Sequence, residues 1–455
     1  MRTLTTHLRR PDRGLTSLLS TRLTARLAQR RYAAALLAGT LATVGLAVGT
    51  FGAHAEAAPT SEGLECLSDA HNTFSLTARD GYVSTPDGNS IYMWGYGPSS
   101  GSFQLPGPVL CVPSGAHVRV ILHNALSEAT SIVFPGQSAV TADGKPAQPQ
   151  LTDTGAMMSL VQPADATDGS VTYEFTAGSP GTYLYESGTD VAKQVQMGLY
   201  GALVVRPAGH PDQANDRTDS RFSPDHEYVF LLSEVDPDLH LAVERGEAVD
   251  AAHSTARYFM INGRSMPDTL APNHASWLPT QPYGAMVHIK PYDAQTNPYP
   301  ALIRYLNAGS VNYPFHPHGS DERVVTQDGS ALVGSGGQDL SYLKYDLDVE
   351  PGQSLDALMD WRDVEQWDPA TNPIPTQLPA IQDQLLVGPD TWFSESGYLG
   401  KKGSLPPNIT ANNECGEYYH VAHSHALQQA TNYGATFGGM MTVFRIDPPA
   451  GCPTS

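Results

Sequence analysis

Gly115-Ala116-His117-Val118-Arg119-Val120-Ile121, closed by Asn124, alternates apolar and polar residues and reads as one strand of a half-buried sheet. Side chains two apart on a strand share a face, so Val118 and Val120 point one way and His117 and Arg119 the other. Pro106-Gly107-Pro108-Val109-Leu110 leads into it, and the segment Gly181-Thr182-Tyr183-Leu184-Tyr185 with the apolar strand Leu199 to Val205 closes the unit. The layout recurs. Ala301-Leu302-Ile303-Arg304-Tyr305-Leu306-Asn307 supplies a second strand with its Asn, and Gly416-Glu417-Tyr418-Tyr419 with Met440 to Ile446 supplies a second closure. The early strands lie about 185 residues apart and the closing ones about 235. That spacing predicts an all-β chain of two duplicated Greek-key sandwiches, the second lengthened by extra chain.

The expected organisation is an export signal at 1–57, a first domain at 63–208, a linker at 209–224 and a second domain at 225–448. A Pro-, Asn- and Gln-rich insertion at 362–413 breaks the second domain. Forty-two glycines and 36 prolines in 455 residues suit short strands and turns, and no sustained amphipathic helix stands out. The signal is read from Gln29-Arg30-Arg31-Tyr32, the apolar run Ala33 to Gly52, and small-x-small cleavage sites at Ala53-His54-Ala55 or Ala55-Glu56-Ala57. The Arg pair fits twin-arginine export. A retained membrane anchor is the competing reading, but the run is barely long enough to span and is rich in Gly and Ala. Without those 57 residues the chain holds 18 basic and 44 acidic residues, a formal charge of −26. Such a surface repels nucleic acid and anionic lipid, and no basic patch interleaved with aromatics occurs. Neither nucleic acid nor, after signal removal, membrane is an expected partner. The localisation expected is extracellular, where Cys66, Cys111, Cys415 and Cys452 pair as disulfides. Four cysteines allow three connectivities; Cys66–Cys111 with Cys415–Cys452 is the simplest.

Chemistry concentrates in Tyr313-Pro314-Phe315-His316-Pro317-His318-Gly319 and in His423-Ser424-His425. His316 and His318 project to one side of a strand, and if the second segment is its neighbour, four imidazoles converge on one patch. Neutral imidazoles suit copper, zinc, iron or nickel. Pro317 cannot donate to a ladder, which places the segment at an edge or a strand end. One His-x-His pair alone is more often a surface or packing feature; two at matching strand ends favour a metal. No His-Glu-x-x-His, Gly-x-Ser-x-Gly or phosphate-binding glycine loop is present. His117 and His123 are assigned to strand surfaces.

The chain resembles the multicopper oxidase family, laccases and two-domain cupredoxin proteins included. The first half carries Pro106 to Pro108, Gly115 to Val120, Asn124 and Thr130-Ser131-Ile132. The second carries Ile261-Asn262-Gly263, Arg304 with Leu306-Asn307, His316 to Gly319, Asp328-Gly329 and Pro351-Gly352-Gln353. The resemblance covers most of residues 63 to 447 apart from the insertion. It implies two cupredoxin-like domains, copper as cofactor, oxidoreductase activity on a small molecule or metal ion, and a homo-oligomer, trimeric by analogy. The departures are as informative. Where the family has histidines after Thr-Ser-Ile, this chain has Val133, Phe134 and Pro135; where it has the next pair, Glu186-Ser187-Gly188. Tyr313 stands where many relatives carry a histidine of the blue, type 1 copper. If His423 and His425 are the last family pair, Ser424 fills the position of the type 1 cysteine. Counting from Gly416 without a gap puts Val421, Ala422 and His423 there instead. Neither register supplies a thiolate, and a serine hydroxyl, hard and normally protonated, cannot replace one.

The expected ligands are therefore His316, His318, His423 and His425, with His423 a candidate in both registers. A full four-electron oxidase cycle is not expected. In trimeric relatives the cluster forms between the first domain of one chain and the second of its neighbour, so a homotrimer of this chain cannot complete a normal one. The alternative expectation is a non-catalytic cupredoxin fold kept as a surface or assembly protein.

Overall fold

The alternation at 115–124 becomes a strand, His117–Asn124, whose Val118, Val120, Leu122 and Asn124 are buried while His117, Arg119 and His123 are exposed. This strand lies in a computed structural model that describes residues 62–362 and 418–447, with the backbone of two short strands at 386–387 and 391–392. The expected disulfide Cys415–Cys452 and nearly all of the insertion lie outside the described residues.

Among the described residues two β-sandwiches follow one another. The first packs a sheet ordered Cys66–Leu67, Val109–Pro113, Tyr200–Arg206, Gly181–Glu186 against a six-stranded sheet centred on Thr73–Ser84 and His117–Asn124. Val118, Val120, Tyr173, Leu203 and Val205 meet in the core between them. The second packs a nine-stranded sheet containing Glu227–Val235, Ala301–Asn307 and Ser354–Met359 against a five-stranded one. The latter is ordered Val287–Ile289, Met441–Ile446, Tyr418–Ser424, Tyr313–Pro317, Leu347–Val349. Cys66 and Cys111 are bonded, stapling the opening strand to its parallel neighbour.

The duplication extends to side-chain detail. Asn124 Nδ2 donates to the carbonyls of Glu128 (2.7 Å) and Asp165 (2.9 Å), while its Oδ1 accepts from the Leu126 amide. Asn307 Nδ2 donates to Val311 and Val349 (2.8 Å each), and its Oδ1 accepts from the Gly309 amide. In each sandwich a buried Asn thus satisfies the backbone of the loop that turns out of the central strand.

The strand Ala301–Asn307 departs from alternation because every residue in it is buried. Its second face is covered by the first sandwich at Leu306 and Arg304 and by Ala214 and Phe222 of the connecting segment at Leu302. Arg304, with no exposed surface, donates to Glu227 (2.8 Å) and to Thr182 (3.0 Å) and lies 3.1 Å from Asp356. Thr182 belongs to the first sandwich and itself donates to Asp356 (2.5 Å); Ser354 Oγ donates to the Thr182 carbonyl. Arg206 reaches Glu227 from the first sandwich at 2.6 Å. The turn Asp328-Gly329 sits beneath Tyr183, whose hydroxyl donates to the Gly329 carbonyl. Gly329 has φ +69° and a Cβ there would come within 2.2 Å of the Tyr183 ring, so both backbone and space demand glycine. The segment between the sandwiches is packed: Ala214 and Phe222 are buried, and Asn215 donates to the Val325 carbonyl.

A second ionic knot joins distant stretches of chain. His288 lies 2.6 Å from Glu62 and 3.4 Å from Asp447. Burial pulls its pKa down, but the hydrogen bonds and charges of Asp447 and Glu62 outweigh burial and carry it up to about 9.

Two predictions follow from these ion pairs. Arg304→Met removes the cation between Glu227 and Asp356, leaving Glu227 only Arg206 and Asp356 only the Thr182 hydroxyl, and a loss of about 3–5 kcal/mol in urea unfolding is expected. A loss under about 1 kcal/mol would mean the network does not couple the sandwiches. The His288 contribution is fully present below its unfolded pKa of about 6.5 and is lost as pH rises through about 9. Between pH 6 and 10 the wild type is expected to lose on the order of 3 kcal/mol that His288→Asn does not. Parallel pH profiles of the two proteins would contradict it.

Candidate metal centre

The strand Tyr313–Pro317 buries Tyr313, Phe315 and Pro317 in the second core and leaves Pro314 and His316 on its outer face. Its antiparallel partner is Tyr418–Ser424, with Phe315 opposite Ser424, His316 opposite His423 and Pro317 opposite Ala422. Two hydrogen bonds extend the ladder past its ends, from the His318 amide to Val421 (2.9 Å) and from the His425 amide to Pro314 (2.6 Å). Directly opposed residues share a face. Consequently His316, His318, His423 and His425 all come to the outer side of this sheet. The pairing sets His423-Ser424-His425 against the His-Pro-His segment.

The ring centroids of His316 and His318 are 4.5 Å apart, those of His318 and His423 5.2 Å, and those of His316 and His425 5.3 Å. His423 stands 5.9 Å from His316 and 5.8 Å from His425. Backbone carbonyls fix two of the rings: His316 Nδ1 bonds to Tyr345 and His423 Nδ1 to Ser424 (2.9 Å). A ring whose Nδ1–H is so engaged turns a bare Nε2 outward. His423 Nε2 lies 3.2 Å from His318 Nε2, which donates to it in this arrangement. Burial holds the His423 pKa below its ordinary value, and the three neighbouring rings push the same way. Both effects favour the neutral ring, the form that binds a metal.

Among the described residues no three His, Cys, Asp or Glu side chains form a closed coordination set. The rings are gathered without being wrapped around one point. The donor chemistry nevertheless fits an ion: two nitrogens each about 2.0–2.1 Å from a tetrahedral metal stand about 3.3 Å apart, close to the His318–His423 separation. Among the described residues no thiolate is available, because both described cysteines are bonded to each other. Ser424 and Tyr313 are both wholly buried and face away from the rings.

Beside the rings a cleft of about 620 Å³ opens between Pro314, Tyr345 and Gln429. Pro314 shares its strand face with His316, so the cleft adjoins the cluster.

In the first sandwich the corresponding backbone pair is Val133 with Glu186. Burial alone pushes the Glu186 carboxyl up to about 7. Sequence reasoning missed the part played by Gln429, five residues beyond Ser424 in a polar stretch with no motif. It also missed the carbonyls of Tyr345 and Ser424, which no side-chain pattern reveals.

Residues 101–210 match a family model described as multicopper oxidase. Over 104 residues the chain is 34% identical to "Multicopper oxidase CTB12" of Cercospora beticola. Over 130 residues it is 32% identical to a "Probable nitrite reductase-hydroxylamine oxidoreductase fusion protein" of Kuenenia stuttgartiensis. These matches cover 22% and 27% of this chain and 14% of each relative. In structure the chain is similar to a multicopper oxidase, mgLAC (TM-score 0.54, 21% identity, 84% of this chain and 87% of that one). It is also similar to a blue copper oxidase from Nitrosomonas europaea (TM-score 0.53, 18% identity, 82% and 85%). At such identities the two structures establish the fold, two cupredoxin domains in series. With that fold, the first sandwich is similar to the multicopper oxidase family over the matched stretch, residues 101–210.

Proposed function

We propose that this protein is an exported copper-binding oxidoreductase that holds copper through His316, His318, His423 and His425 and lacks the type 1 thiolate. The observation that carries the reading is the meeting of four imidazoles from two paired strands, two with Nε2 freed by backbone carbonyls. Copper bound by neutral imidazoles would supply one-electron or Lewis-acid chemistry. The chain's own part is to favour the neutral form of His423, to aim Nε2 of His316 and His423 outward and to offer an adjoining cleft to a small molecule or metal ion. Val133 and Glu186 in the first sandwich leave that domain no imidazole at the corresponding pair. A homo-oligomer, a trimer included, would therefore not rebuild a three-copper cluster, and multi-electron turnover is not part of the proposal.

The second reading is a non-catalytic cupredoxin protein. It is favoured by the same replacements at Val133 and Glu186 and by the open arrangement of the rings.

Metal analysis and calorimetry of the exported protein test the first reading. One or more copper ions per chain is expected, with affinity falling at least tenfold in His423→Ala and no intense blue thiolate absorption. Less than one metal per chain, unchanged by His423→Ala, would leave the non-catalytic reading. Oxygen uptake by the copper-loaded protein, absent in His423→Ala, would separate an oxidoreductase from a copper carrier.

A further inference from the structure

Both sandwiches contain the same buried side-chain clamp. In the second, Ser424 Oγ donates to Gln429 Oε1 (2.5 Å), and Gln429 Nε2 donates to the carbonyl of Asn312 (3.0 Å), the residue before Tyr313. In the first, Ser187 Oγ donates to Gln194 Oε1 (2.6 Å), and Gln194 Nε2 donates to the carbonyl of Ala129 (2.9 Å), the residue before Thr130. Ser187 follows Glu186, the partner of Val133; Ser424 follows His423, the partner of His316. Thr130 and Tyr313 each lie three residues before those partners, so the serines and the anchored carbonyls correspond, while the glutamine follows its serine by seven residues in the first sandwich and by five in the second. Ser187, Gln194 and Ser424 have no more than 1% exposure, and Gln429 has 3%.

What differs is what the clamp holds. In the first sandwich Ser187 sits between Glu186 and Gly188, with no imidazole on either side. In the second, Ser424 sits between His423 and His425, and its carbonyl is the acceptor for His423 Nδ1. Ser424 is thus tied twice, by its hydroxyl to Gln429 and by its carbonyl to the His423 ring. Gln429 in turn anchors this turn to the start of the strand that bears His316 and His318. The geometry points to Gln429 and Ser424 as positioning residues that hold His423 in the tautomer with a bare Nε2 aimed at the other imidazoles. Outer partners of this kind set ligand orientation, and their loss typically lowers metal affinity 10- to 100-fold.

The first-sandwich clamp provides an internal control, because it has the same serine-to-glutamine and glutamine-to-carbonyl hydrogen bonds without histidines, with Thr130 as a further donor to Gln194. Four variants of the whole chain are compared: Ser424→Ala, Gln429→Leu, Ser187→Ala and Gln194→Leu. The first readout needs no metal: nitrogen-15 shifts of labelled histidines report each ring's tautomer. His423 is expected to hold a single Nδ1–H form in wild type, Ser187→Ala and Gln194→Leu, and to become a mixture in Ser424→Ala and Gln429→Leu. His316, held by Tyr345, stays unchanged throughout. The second readout, copper(II) calorimetry, rests on the copper reading and is expected to weaken 10- to 100-fold in the second-sandwich pair alone. All four variants are expected to melt earlier, so melting temperature does not discriminate. An unaltered His423 tautomer in Ser424→Ala overturns the inference, and so does equal copper weakening by Ser187→Ala. Should wild type take up no copper while His423 still becomes a mixture, the copper reading fails and the positioning role stands.

Discussion

Arg304 is the constraint from which the arrangement of the two sandwiches follows. A guanidinium with no exposed surface has lost its water and must recover that cost from its partners. Here it finds Glu227 and Asp356 in its own domain and Thr182 across the boundary, while Arg206 returns a second positive charge to Glu227. Five side chains from both sandwiches share the compensation. Separating the sandwiches would remove Thr182 and Arg206 from this network, so its hydrogen bonds and charges favour the docking seen here. The closely fitted turn at Gly329 under Tyr183 adds shape to what the charges specify.

Much of this could be read from the chain. The alternation at 115–124, the terminal Asn of each central strand and the matched closures give a duplicated β-sandwich, and the two His-x-His segments lie where strand geometry brings them together. What could not be read is telling. Ala301–Asn307 alternates poorly because a second layer covers it, made by the other domain and the segment that connects the two. Arg304 looked like a family marker within an apolar strand; its role as the charge between two domains depends on Thr182, some 120 residues away. Gln429 carried no signal because an amide in a Gln-rich turn resembles any solvated loop until its partner Ser424 is known. Ring orientation was equally hidden, since carbonyls set it and every residue has one.

The comparison between the sandwiches separates folding from ligand supply. Backbone pairing is the same at Val133–Glu186 and His316–His423, and a Ser–Gln clamp closes both. The first sandwich keeps the frame but presents a carboxyl that burial raises to about 7 in place of imidazole. The shared part of the frame is backbone pairing and the Ser–Gln clamp, whichever side chains stand on the outer face.

The alternation along Tyr313–Pro317 has a further consequence. Tyr313, Phe315 and Pro317 answer to the core, whereas His316 answers to whatever lies outside. Side chains of the second kind can be exchanged with little effect on how the sheet assembles. The chemistry on that surface can therefore drift, be lost or be re-created one residue at a time, while selection for a stable sandwich sees almost none of it.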